Sequence, residues 1–438
     1  MRQGNGVHKR ELRVYRHECI IIKRRGNLTE CLPENLCEYN FLSMAQVKKA
    51  RTRKATKRTA GKRKIHSNMP RRHAAARKEK KGKRRTMRAV PGVLGKRGIR
   101  KGGEKFQEAF SVARAQENPI IAPVGRHDWE AWQTFNPGVI LLDDTIHFLY
   151  RAIGTDGISR LGYAVSDDGF SIRERLPYPV YQHKMTHYSF NVHSYLSGGG
   201  WGGCEDPRLT LLGDTIYMAY VALDQGLPQL TLTSIQKKDF LKRNWKWSVP
   251  KNISPPSVIV KSGCLFPETI KEKYIIFYRI FPDIWIDARD TLDFAHGAHL
   301  EGVPQIKIRP HFWDSRKIGP GAPPIKTKYG WLLIYYGVDE RDASKYKIGA
   351  MVLDKDDPSN VLYRSSRPIL EPDEWYENEG HKAGIVYPCG AVVKNQELLI
   401  YYGGADSFVC VASAGMDEFL ESITHERTPR MRVNRVKK

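Results

Sequence analysis

Two adjacent carboxylates follow a glycine-rich run near the middle of the chain, in the sequence Gly-Cys-Glu-Asp-Pro-Arg at residues 203–208. Because Asp206 precedes a proline, its backbone is biased towards the extended region. An apolar strand pattern begins at Leu209, so Asp206 is predicted to lie where a loop enters a β-hairpin, with its carboxyl group at the mouth of a sheet. The alternative is a turn acid that hydrogen-bonds to its own backbone.

The unit around Asp206 recurs along the chain, which favours a functional role for this carboxyl group. Each copy has a leading proline, a short apolar strand, a polar turn and a second strand that ends in tyrosine. A further hairpin follows the tyrosine, so each unit offers about four strands. Five such units predict an all-β domain over residues 111–438 that forms a five-bladed β-propeller, whereas a β-sandwich would not explain five copies of one hairpin. The leading prolines are Pro137, Pro207, Pro267, Pro323 and Pro388.

In a propeller the innermost strands line a central channel, and the mouth of that channel is the usual binding site. Polar residues at equivalent positions of the units would therefore converge on one axis. An arginine within an apolar strand is costly unless it is paired or faces a ligand, so arginines at these positions favour a binding site. The positions directly after a repeat tyrosine or before a leading proline include Asn136, Arg151, Asp206, Phe266, Arg279, Tyr336 and Tyr387.

The charge of the chain is concentrated at one end. The 438 residues carry a net charge of +25, and residues 1–110 contain 33 basic and 8 acidic residues, which leaves the remainder neutral. Residues 48–105 have few large apolar side chains to form a core, so this basic extension is predicted to be disordered. It could bind nucleic acid or another polyanion through its charge, or be a solvated tail without a partner. Translation could start at Met1 or at Met44.

Cysteine spacing and hydropathy argue against a zinc-binding, a secreted or a membrane-spanning protein. The seven cysteines form no Cys-x-x-Cys pair and no Cys/His cluster with zinc spacing, so no metal site is predicted. Their odd number and irregular spacing favour a reducing compartment. No stretch approaches the roughly 20 apolar residues that span a bilayer, and no signal-peptide pattern is present. We therefore expect a cytoplasmic protein without membrane contact.

Eight short motifs are spread over the body of the chain, about residues 118–425. They are 135–138 (Phe-Asn-Pro-Gly), 150–151 (Tyr-Arg), 159–162 (Ser-Arg-Leu-Gly), 205–208 (Glu-Asp-Pro-Arg), 265–268 (Leu-Phe-Pro-Glu), 317–324 (Lys-Ile-Gly-Pro-Gly-Ala-Pro-Pro), 330–335 (Gly-Trp-Leu-Leu-Ile-Tyr) and 401–406 (Tyr-Tyr-Gly-Gly-Ala-Asp). With these motifs in family order, the body resembles glycoside hydrolase family 130, the β-mannoside phosphorylases and related β-mannosidases. The basic extension lies outside the resemblance. The resemblance implies a five-bladed propeller that cleaves β-mannosidic bonds with inversion.

The resemblance also implies roles for individual residues. Asp206 matches the general acid of the family, whose proton reaches the glycosidic oxygen through a hydroxyl of the sugar. Tyr336 departs from the family pattern, because the phosphorylases usually carry histidine there, and Pro320 replaces a small residue. No cofactor is implied, and inorganic phosphate is the co-substrate. Positions that match sugar contacts are Asn136, Arg151, Arg160 and Asp406, and those that match phosphate contacts are Lys261, Arg279 and Tyr336.

Three functions remain open at this point. Phosphorolysis needs an acid and a cationic site, because phosphate is itself an anionic nucleophile, and the leading hypothesis is an inverting β-mannoside phosphorylase that releases α-mannose 1-phosphate from a β-mannoside oligosaccharide. An inverting β-mannosidase would need a base as well, which Glu268 or another acid would supply. The third is a carbohydrate- or polyanion-binding propeller without turnover. The sequence leaves open the linkage, the acceptor sugar and whether the chain forms a homo-oligomer.

Overall fold

The protein divides into two units, Met1–Arg100 and Lys101–Lys438. In the first unit, β1 (Cys19–Ile21) pairs antiparallel with β2 (Cys31–Pro33). The predicted disorder and polyanion binding of residues 48–105 lie outside the described residues, and the predicted domain boundary stays a prediction. The computed structural model describes residues 112–186, 188–224 and 226–425, together with the main chain of residues 19–21 and 31–33.

The second unit is all-β, as predicted, because β-branched and aromatic residues alternate with polar ones along its segments. Its largest sheet has eight strands in two antiparallel groups of four. A short parallel pairing joins the two groups, with Ser159 opposite Gly203. The strands of this sheet are β4 (Gln133–Leu142), β5 (Thr145–Ile153), β6 (Ile158–Ser166), β7 (Glu174–Arg175), β8 (Gly202–Leu212), β9 (Thr215–Leu223), β10 (Gln229–Gln236) and β11 (Lys251–Asn252).

Three further sheets follow along the chain, so the described part of this unit contains five antiparallel groups. The last sheet also takes in β3 (Ala113–Arg114), which precedes every other strand of the unit and pairs with the final strand. The third group has β12 (Lys261–Leu265), β13 (Tyr274–Ile280), β14 (Asp283–Arg289) and β15 (Val303–Ile306). The fourth has β16 (Lys317–Pro320), β17 (Ile325–Thr327), β18 (Gly330–Asp339), β19 (Asp342–Leu353) and β20 (Val361–Arg364), and the fifth has β21 (Val386–Lys394), β22 (Glu397–Gly404) and β23 (Phe408–Gly415).

Successive groups pack against each other through apolar clusters, one for each pair of neighbours. The fifth group packs in the same way on the first, with Leu399 and Tyr401 of β22 buried against Val139 and Phe148. The rings of Phe148 and Tyr401 meet edge-on, with centroids 4.9 Å apart. Burial of apolar surface is the main driving force of folding, and here it joins the five groups in a ring of contacts.

The described helices are few and short. Asn191 caps the first of them, because its side-chain oxygen accepts a hydrogen bond from the main-chain N of His193 at 2.9 Å. Gly199 ends this helix with a left-handed φ of 90°. None of the described helices is long and apolar enough to cross a membrane. The helices are α1 (Val192–Gly198), α2 (Lys237–Leu241), α3 (Trp375–Asn378) and α4 (Met416–Thr424), with 3₁₀ turns at Asp128–Glu130 and Ala295–Gly297.

The first strands of three groups contain a β-bulge with a residue of positive φ. These residues are Asn136 (φ 47°), Asp206 (φ 51°) and Ser262 (φ 56°), and each lies where the register with the next strand shifts. The predicted extended backbone of Asp206 is therefore wrong. The bulge imposes a left-handed conformation, which Asp and Asn adopt more readily than most residues.

The third repeat, whose leading proline is Pro267, departs from the prediction. The residue before that proline, Phe266, is not at a position equivalent to Asp206. Phe266 is 1% exposed and packs edge-on against Phe277 and Trp331 within an apolar cluster, so it does not face a channel. The equivalent of Asp206 in this group is Ser262, because the bulge of β12 precedes the proline by several residues. The proline thus marks the bulge in the first and second groups but not in the third.

An ion pair between Arg114 and Glu377 ties β3 to α3, and we expect it to stabilise the fold. Arg114 Nε and Nη2 donate to the two carboxylate oxygens at 2.7 and 2.9 Å, and the Glu377 side chain is fully buried. Arg114→Ala would leave this carboxylate buried without its counter-ion, which typically costs about 3–5 kcal/mol. Chemical denaturation should show a fall of that size in the free energy of unfolding.

The matched control for this prediction is an exposed pair, Lys328 with Asp417, whose side chains are 55% and 63% accessible. Lys328→Ala should change the free energy of unfolding by no more than about 1 kcal/mol, because solvent screens the pair. An equally small change in Arg114→Ala would contradict the expected role of the buried pair.

Candidate active site

The bulges at Asn136 and Asp206 bring the carboxyl group of Asp206 next to the amide of Asn136 and the guanidinium group of Arg151. Asn136 Nδ2 donates to Asp206 Oδ1 at 2.8 Å, and Arg151 Nη1 lies 3.4 Å from the same oxygen. Asp206 is only 7% exposed. Because both of these donors reach Oδ1, Oδ2 is the oxygen that can carry a proton to a ligand. The structure thus brings together three of the residues predicted for the site.

Glu205 is a second carboxylate at this place, and it was not among the predicted site residues. Neighbouring side chains of a regular strand point to opposite faces, but the bulge lets both Glu205 and Asp206 contact Arg151. Arg151 Nη2 donates to Glu205 Oε1 at 2.8 Å, and Ser197 Oγ donates to Oε2 at 2.7 Å. The sequence marks the contact of Glu205 with Arg151 only by placing an acid inside a strand pattern, next to Asp206.

Arg151 is the centre of this polar cluster. Although its complete burial opposes the charge, Glu205 and Asp206 raise the pKa of Arg151 above its usual range. Its Nε donates to Ser159 Oγ at 2.9 Å, and the guanidinium carbon lies 4.6 Å from the ring centre of Phe135. Arg151 is thus a fixed cation that holds the orientation of both carboxylates.

Asp406 contributes a third carboxylate, from the loop between β22 and β23. Burial raises the pKa of Asp406 to about 6, although Lys382 and Arg151 oppose the rise. Its main-chain oxygen accepts a hydrogen bond from Gln133 Nε2 at 2.8 Å, which connects the fifth group to the first. Asp406 therefore lies close to Arg151 in space, and its predicted sugar contact stays a prediction.

Lys261 and Arg279 lie opposite each other where β12 pairs with β13. Lys261 Nζ donates to Ser197 Oγ at 2.7 Å and lies 3.6 Å from Glu205 Oε2. Burial lowers the pKa of Lys261, although Glu205 opposes this effect. Arg279 Nε is buried and has no hydrogen-bond partner among the described residues. Arg279 is thus a predicted phosphate contact with a buried donor that no described residue engages.

The hydroxyl of Tyr336 is already engaged by other side chains. Its oxygen lies 3.0 Å from Ser262 Oγ, which lies 2.6 Å from the hydroxyl of Tyr387. Tyr336 is 2% exposed, and burial raises its pKa, although Arg279 opposes the rise. Tyr336 is therefore a neutral side chain packed close to Arg279, and its predicted contact with phosphate stays a prediction.

A further cationic cluster near Arg279 was not predicted. Lys317 Nζ donates to the hydroxyl of Tyr346, and Lys382 Nζ lies 5.9 Å from the centre of the same ring. Burial would raise the pKa of Tyr346, but Lys317 and Lys382 lower it to about 7, with a smaller contribution from Arg279. Lys317 belongs to a motif that carries the family resemblance, whereas nothing in the local sequence of Tyr346 or Lys382 marks them.

The phenol of Tyr346 should titrate in the neutral range. Its pKa in the folded protein is about 7, below the ordinary value of about 10. Ionisation therefore favours the folded state, and this contribution to stability is lost as the pH falls through about 7. An ultraviolet difference titration should resolve one tyrosine that ionises near this pH.

Tyr346→Phe should remove this early step from the titration curve. Tyr363→Phe is the matched control, because Tyr363 lies exposed on the outer strand β20, and it should leave the early step in place. A wild-type curve in which no tyrosine ionises below pH 9 would contradict the cationic surroundings described for Tyr346.

Helix α1 lies over these residues and accepts hydrogen bonds from their cations. Its carbonyl at Ser197 accepts from Arg151 Nη1 at 3.4 Å, and its carbonyl at Leu196 accepts from Lys382 Nζ at 3.3 Å. The last carbonyls of a helix carry partial negative charge, so cations are favourable there. Together with the bond from Lys261 to the Ser197 hydroxyl, these contacts anchor α1 to the first and third groups and to the loop that precedes β21.

Arg160 and Glu268 lie apart from this cluster. Arg160 Nη1 and Nη2 donate to the two oxygens of Asp156 at 3.0 and 2.5 Å. Glu268 is 43% accessible and pairs with Lys326 Nζ at 2.5 Å. Among the described contacts, neither residue reaches Asp206. The proposed sugar contact of Arg160 and the alternative role of Glu268 as a base therefore gain no support from the geometry.

The site thus combines two kinds of chemistry. Asp206, oriented by Asn136 and Arg151, offers a carboxyl group for proton transfer. Arg279 and the lysines around Tyr346 offer positive charge to an anion, which charged donors bind through short, strong hydrogen bonds. An acid next to a cluster of cations suits an acid-assisted displacement by an anionic nucleophile.

Comparisons with known proteins point to the same chemistry. The sequence model of glycoside hydrolase family 130, described as beta-1,4-mannooligosaccharide phosphorylase, matches residues 113–425. The chain is 35% identical over 317 residues to the 1,2-beta-oligomannan phosphorylase of Thermoanaerobacter sp. (strain X514). This match covers 70% of this chain and 99% of the relative. It is 33% identical over 234 residues to the beta-1,4-mannooligosaccharide phosphorylase of Ruminococcus albus, over 51% of this chain and 66% of the relative.

A solved structure agrees with these sequence matches. The beta-1,2-mannobiose phosphorylase from Listeria innocua, in complex with beta-1,2-mannobiose, superposes with a TM-score of 0.58 and 25% sequence identity. The superposition covers 72% of this chain and 99% of the Listeria protein. The similarity therefore extends over nearly the whole length of that relative.

Proposed function

Since the chain belongs to glycoside hydrolase family 130, we propose that it cleaves β-mannosides by phosphorolysis, with inversion, and releases α-mannose 1-phosphate. The observation that carries the proposal is one buried acid, Asp206, near a cluster of cations in which Arg279 Nε has no partner among the described residues. The relatives that match most of the chain are named as phosphorylases of β-mannosides, which supports the substrate class.

Asp206 is the general acid in this proposal. Its proton moves, through a hydroxyl of the mannose, to the glycosidic oxygen as the bond between that oxygen and the anomeric carbon breaks. A phosphate oxygen forms the new bond to the anomeric carbon from the opposite face, which inverts the configuration to α. The proton that the phosphate brought returns to Asp206, so no second protein base is needed, unlike in inverting hydrolysis.

Asn136, Arg151 and Asp406 hold the mannose next to the acid in this proposal. Support comes from their position, because Asn136 and Arg151 contact Asp206 directly, and Arg151 is close enough to Asp406 to influence its pKa. The predicted sugar contact of Arg160 stays a prediction outside this proposal, since both of its terminal nitrogens donate to Asp156.

Phosphate binds, in this proposal, beside Arg279, Lys317 and Lys382. The unpartnered Nε of Arg279 supplies a charge-assisted donor, and the two lysines add positive charge. Phosphate would repel an ionised Tyr346, so its binding is coupled to protonation of that phenol, whose pKa is about 7. Lys261, which donates to Ser197 and lies near Glu205, adds positive charge to the site.

We extend the proposal to the fold, in which the five antiparallel groups form the blades of a β-propeller around an axis at Asp206. Two observations support this arrangement. The groups pack in a ring through five apolar clusters, and the bulges of the first three groups are equivalent. Polar side chains of these bulges would then converge on the axis.

The test is an assay of the full chain on β-1,2- and β-1,4-mannobiose, with and without phosphate. We expect phosphate-dependent release of α-mannose 1-phosphate from at least one of them. Equal rates with and without phosphate, with free mannose as the product, would replace phosphorolysis by the β-mannosidase alternative. Mannoside binding without phosphorolysis or hydrolysis would support the third function, a propeller that binds carbohydrate without catalysis.

A further inference from the structure

Glu205 is a fully buried carboxylate, and protein groups engage both of its oxygens. Oε1 accepts hydrogen bonds from Arg151 Nη2 at 2.8 Å and from Ser194 Oγ at 3.3 Å. Oε2 accepts from Ser197 Oγ at 2.7 Å and lies 3.6 Å from Lys261 Nζ. A buried charge is tolerated when opposite charges and hydrogen bonds surround it in this way. The proposed reaction gives Glu205 no role, although Glu205 contacts residues that the reaction uses.

The two cations next to Glu205 belong to different halves of the site. Arg151, on β5 of the first group, lies 3.4 Å from a carboxylate oxygen of Asp206. Lys261, on β12 of the third group, lies opposite Arg279. Both arginines add to the effect of burial in lowering the pKa of Lys261, so the three cations are near one another. Glu205, on β8 of the second group, therefore offsets a repulsion between cations of three neighbouring strands.

Helix α1 completes the surroundings of Glu205. A serine hydroxyl has a single proton to donate, and Ser197 donates it to Glu205 while its oxygen accepts from Lys261 Nζ at 2.7 Å. Lys261, Ser197 and Glu205 thus form a chain of hydrogen bonds that run in one direction, and in a buried place such bonds strengthen one another. Because four protein groups surround its two oxygens, Glu205 is placed to act on Arg151 and Lys261 rather than on a ligand.

The charge of Lys261 depends on this carboxylate. Burial lowers the pKa of Lys261, and Glu205 is the strongest of the interactions that oppose this effect. Loss of the negative charge would therefore let Lys261 release its proton at a lower pH. His193 adds no charge of its own at neutral pH, because burial and Lys261 both lower its pKa. The described groups that act on Lys261 or titrate beside it also include Asp206 on β8, Arg151 on β5, Arg279 on β13 and His193 on α1.

We propose that Glu205 is a positioning residue that couples the two halves of the site, because one carboxylate holds Arg151 beside the acid and Lys261 beside Arg279. The proposal rests on the proposed function for the identity of the two ligands, a mannoside near Arg151 and phosphate near Arg279. Glu205 touches neither ligand. Removal of its charge therefore weakens the binding of both ligands, and it weakens the binding of phosphate more as the pH rises.

The test is calorimetric binding to the full chain of inorganic phosphate alone, and of β-1,2- and β-1,4-mannobiose alone, at pH 6 and pH 8. Glu205→Gln keeps the shape of the side chain and removes its charge, and it should weaken mannobiose binding about tenfold at both pH values. Its phosphate binding should fall below that of the wild type by about threefold at pH 6 and by about ten- to a hundredfold at pH 8. The ratio of variant to wild type cancels the ionisation of phosphate, which is the same for both proteins.

Three further variants separate the charge of Glu205 from its part in packing. Glu205→Asp keeps the charge, so its phosphate ratio should be the same at both pH values. Glu130→Gln is the matched control, because Glu130 is also fully buried and paired with an arginine, Arg175. It should lower the stability and leave both affinities unchanged. Ser197→Ala removes the hydroxyl between Lys261 and Glu205, and it should weaken phosphate binding even if Glu205→Gln does not fold.

The coupling would be overturned if Glu205→Gln weakened the binding of only one ligand or of neither, if its phosphate ratio were the same at both pH values, or if Glu130→Gln showed equal losses. If Glu205→Gln did not fold, unchanged phosphate binding in Ser197→Ala would overturn it. Any of these results in a chain that releases α-mannose 1-phosphate would leave the proposed function intact. The expected losses in a chain that performs no phosphorolysis would support the coupling and overturn the proposed function. A wild-type chain that binds no phosphate would overturn both.

Discussion

Asp206→Asn should lose roughly 10²–10⁴-fold of its turnover on a mannobiose at saturating phosphate, because loss of a general acid typically costs that much. The asparagine keeps an oxygen that can accept from Asn136 and Arg151, and Asn tolerates the left-handed φ of 51° at this bulge. The free energy of unfolding should therefore change little. The measurement is kcat by release of α-mannose 1-phosphate, with thermal denaturation as a check on the fold.

Two comparisons make this result specific to proton donation. A mannoside with an acidic phenol as leaving group needs less help from an acid, so the variant should lose much less activity on it. Asp214→Asn, in the exposed turn between β8 and β9, should keep wild-type turnover. If Asp206→Asn retained more than a tenth of the wild-type rate on mannobiose, Asp206 would not be the acid.

Arg279→Ala should raise the Michaelis constant for phosphate about ten- to a hundredfold, and that for the mannoside far less. The reason is that Arg279 Nε is a buried donor without a partner among the described residues, and a lost charge-assisted hydrogen bond costs about 1.5–3 kcal/mol. Steady-state kinetics with phosphate and mannoside varied in turn would separate the two constants.

Tyr336→Phe provides the contrast for this variant. Its hydroxyl lies 3.0 Å from Ser262 Oγ, so its removal should disturb packing more than phosphate binding, and the Michaelis constant for phosphate should rise less than in Arg279→Ala. Equal rises of both Michaelis constants in Arg279→Ala would place this arginine in the sugar site or in a structural role, and the phosphate site elsewhere.

The fold was largely predictable because its signals are local and repeated. Alternating strands, turn residues and recurring tyrosines predicted an all-β unit, and the structure confirms it. The backbone at Asp206 was not predictable from its neighbours, because the pre-proline preference for extended angles is overridden by a bulge. The expected position of Phe266 at the channel was wrong for a similar reason. The position of the bulge within β12 depends on pairing with β13 rather than on the following proline.

The sequence could single out Arg151 and Arg279, because an arginine stands out within an apolar strand, and their roles in the site stay predictions. Glu205 escaped prediction because strand alternation placed it opposite Asp206, and only the bulge turns both carboxylates towards Arg151. Tyr346 and Lys382 approach each other from different groups. Contacts of this kind arise from the packing of distant segments, and no local pattern in a single sequence encodes them.

The pairing of β3 with β23, in which Arg114 lies opposite Ala412, has a consequence for chain connectivity. It makes the two ends of the body neighbours, and such proteins often tolerate circular permutation. These ends could be joined and the chain opened at the exposed Gly213, where a Cβ atom would meet no other atom within 4 Å. The new termini would then lie between β8 and β9, within the second group. A permuted protein that retained activity would show that the order in which the strands are synthesised does not determine the fold.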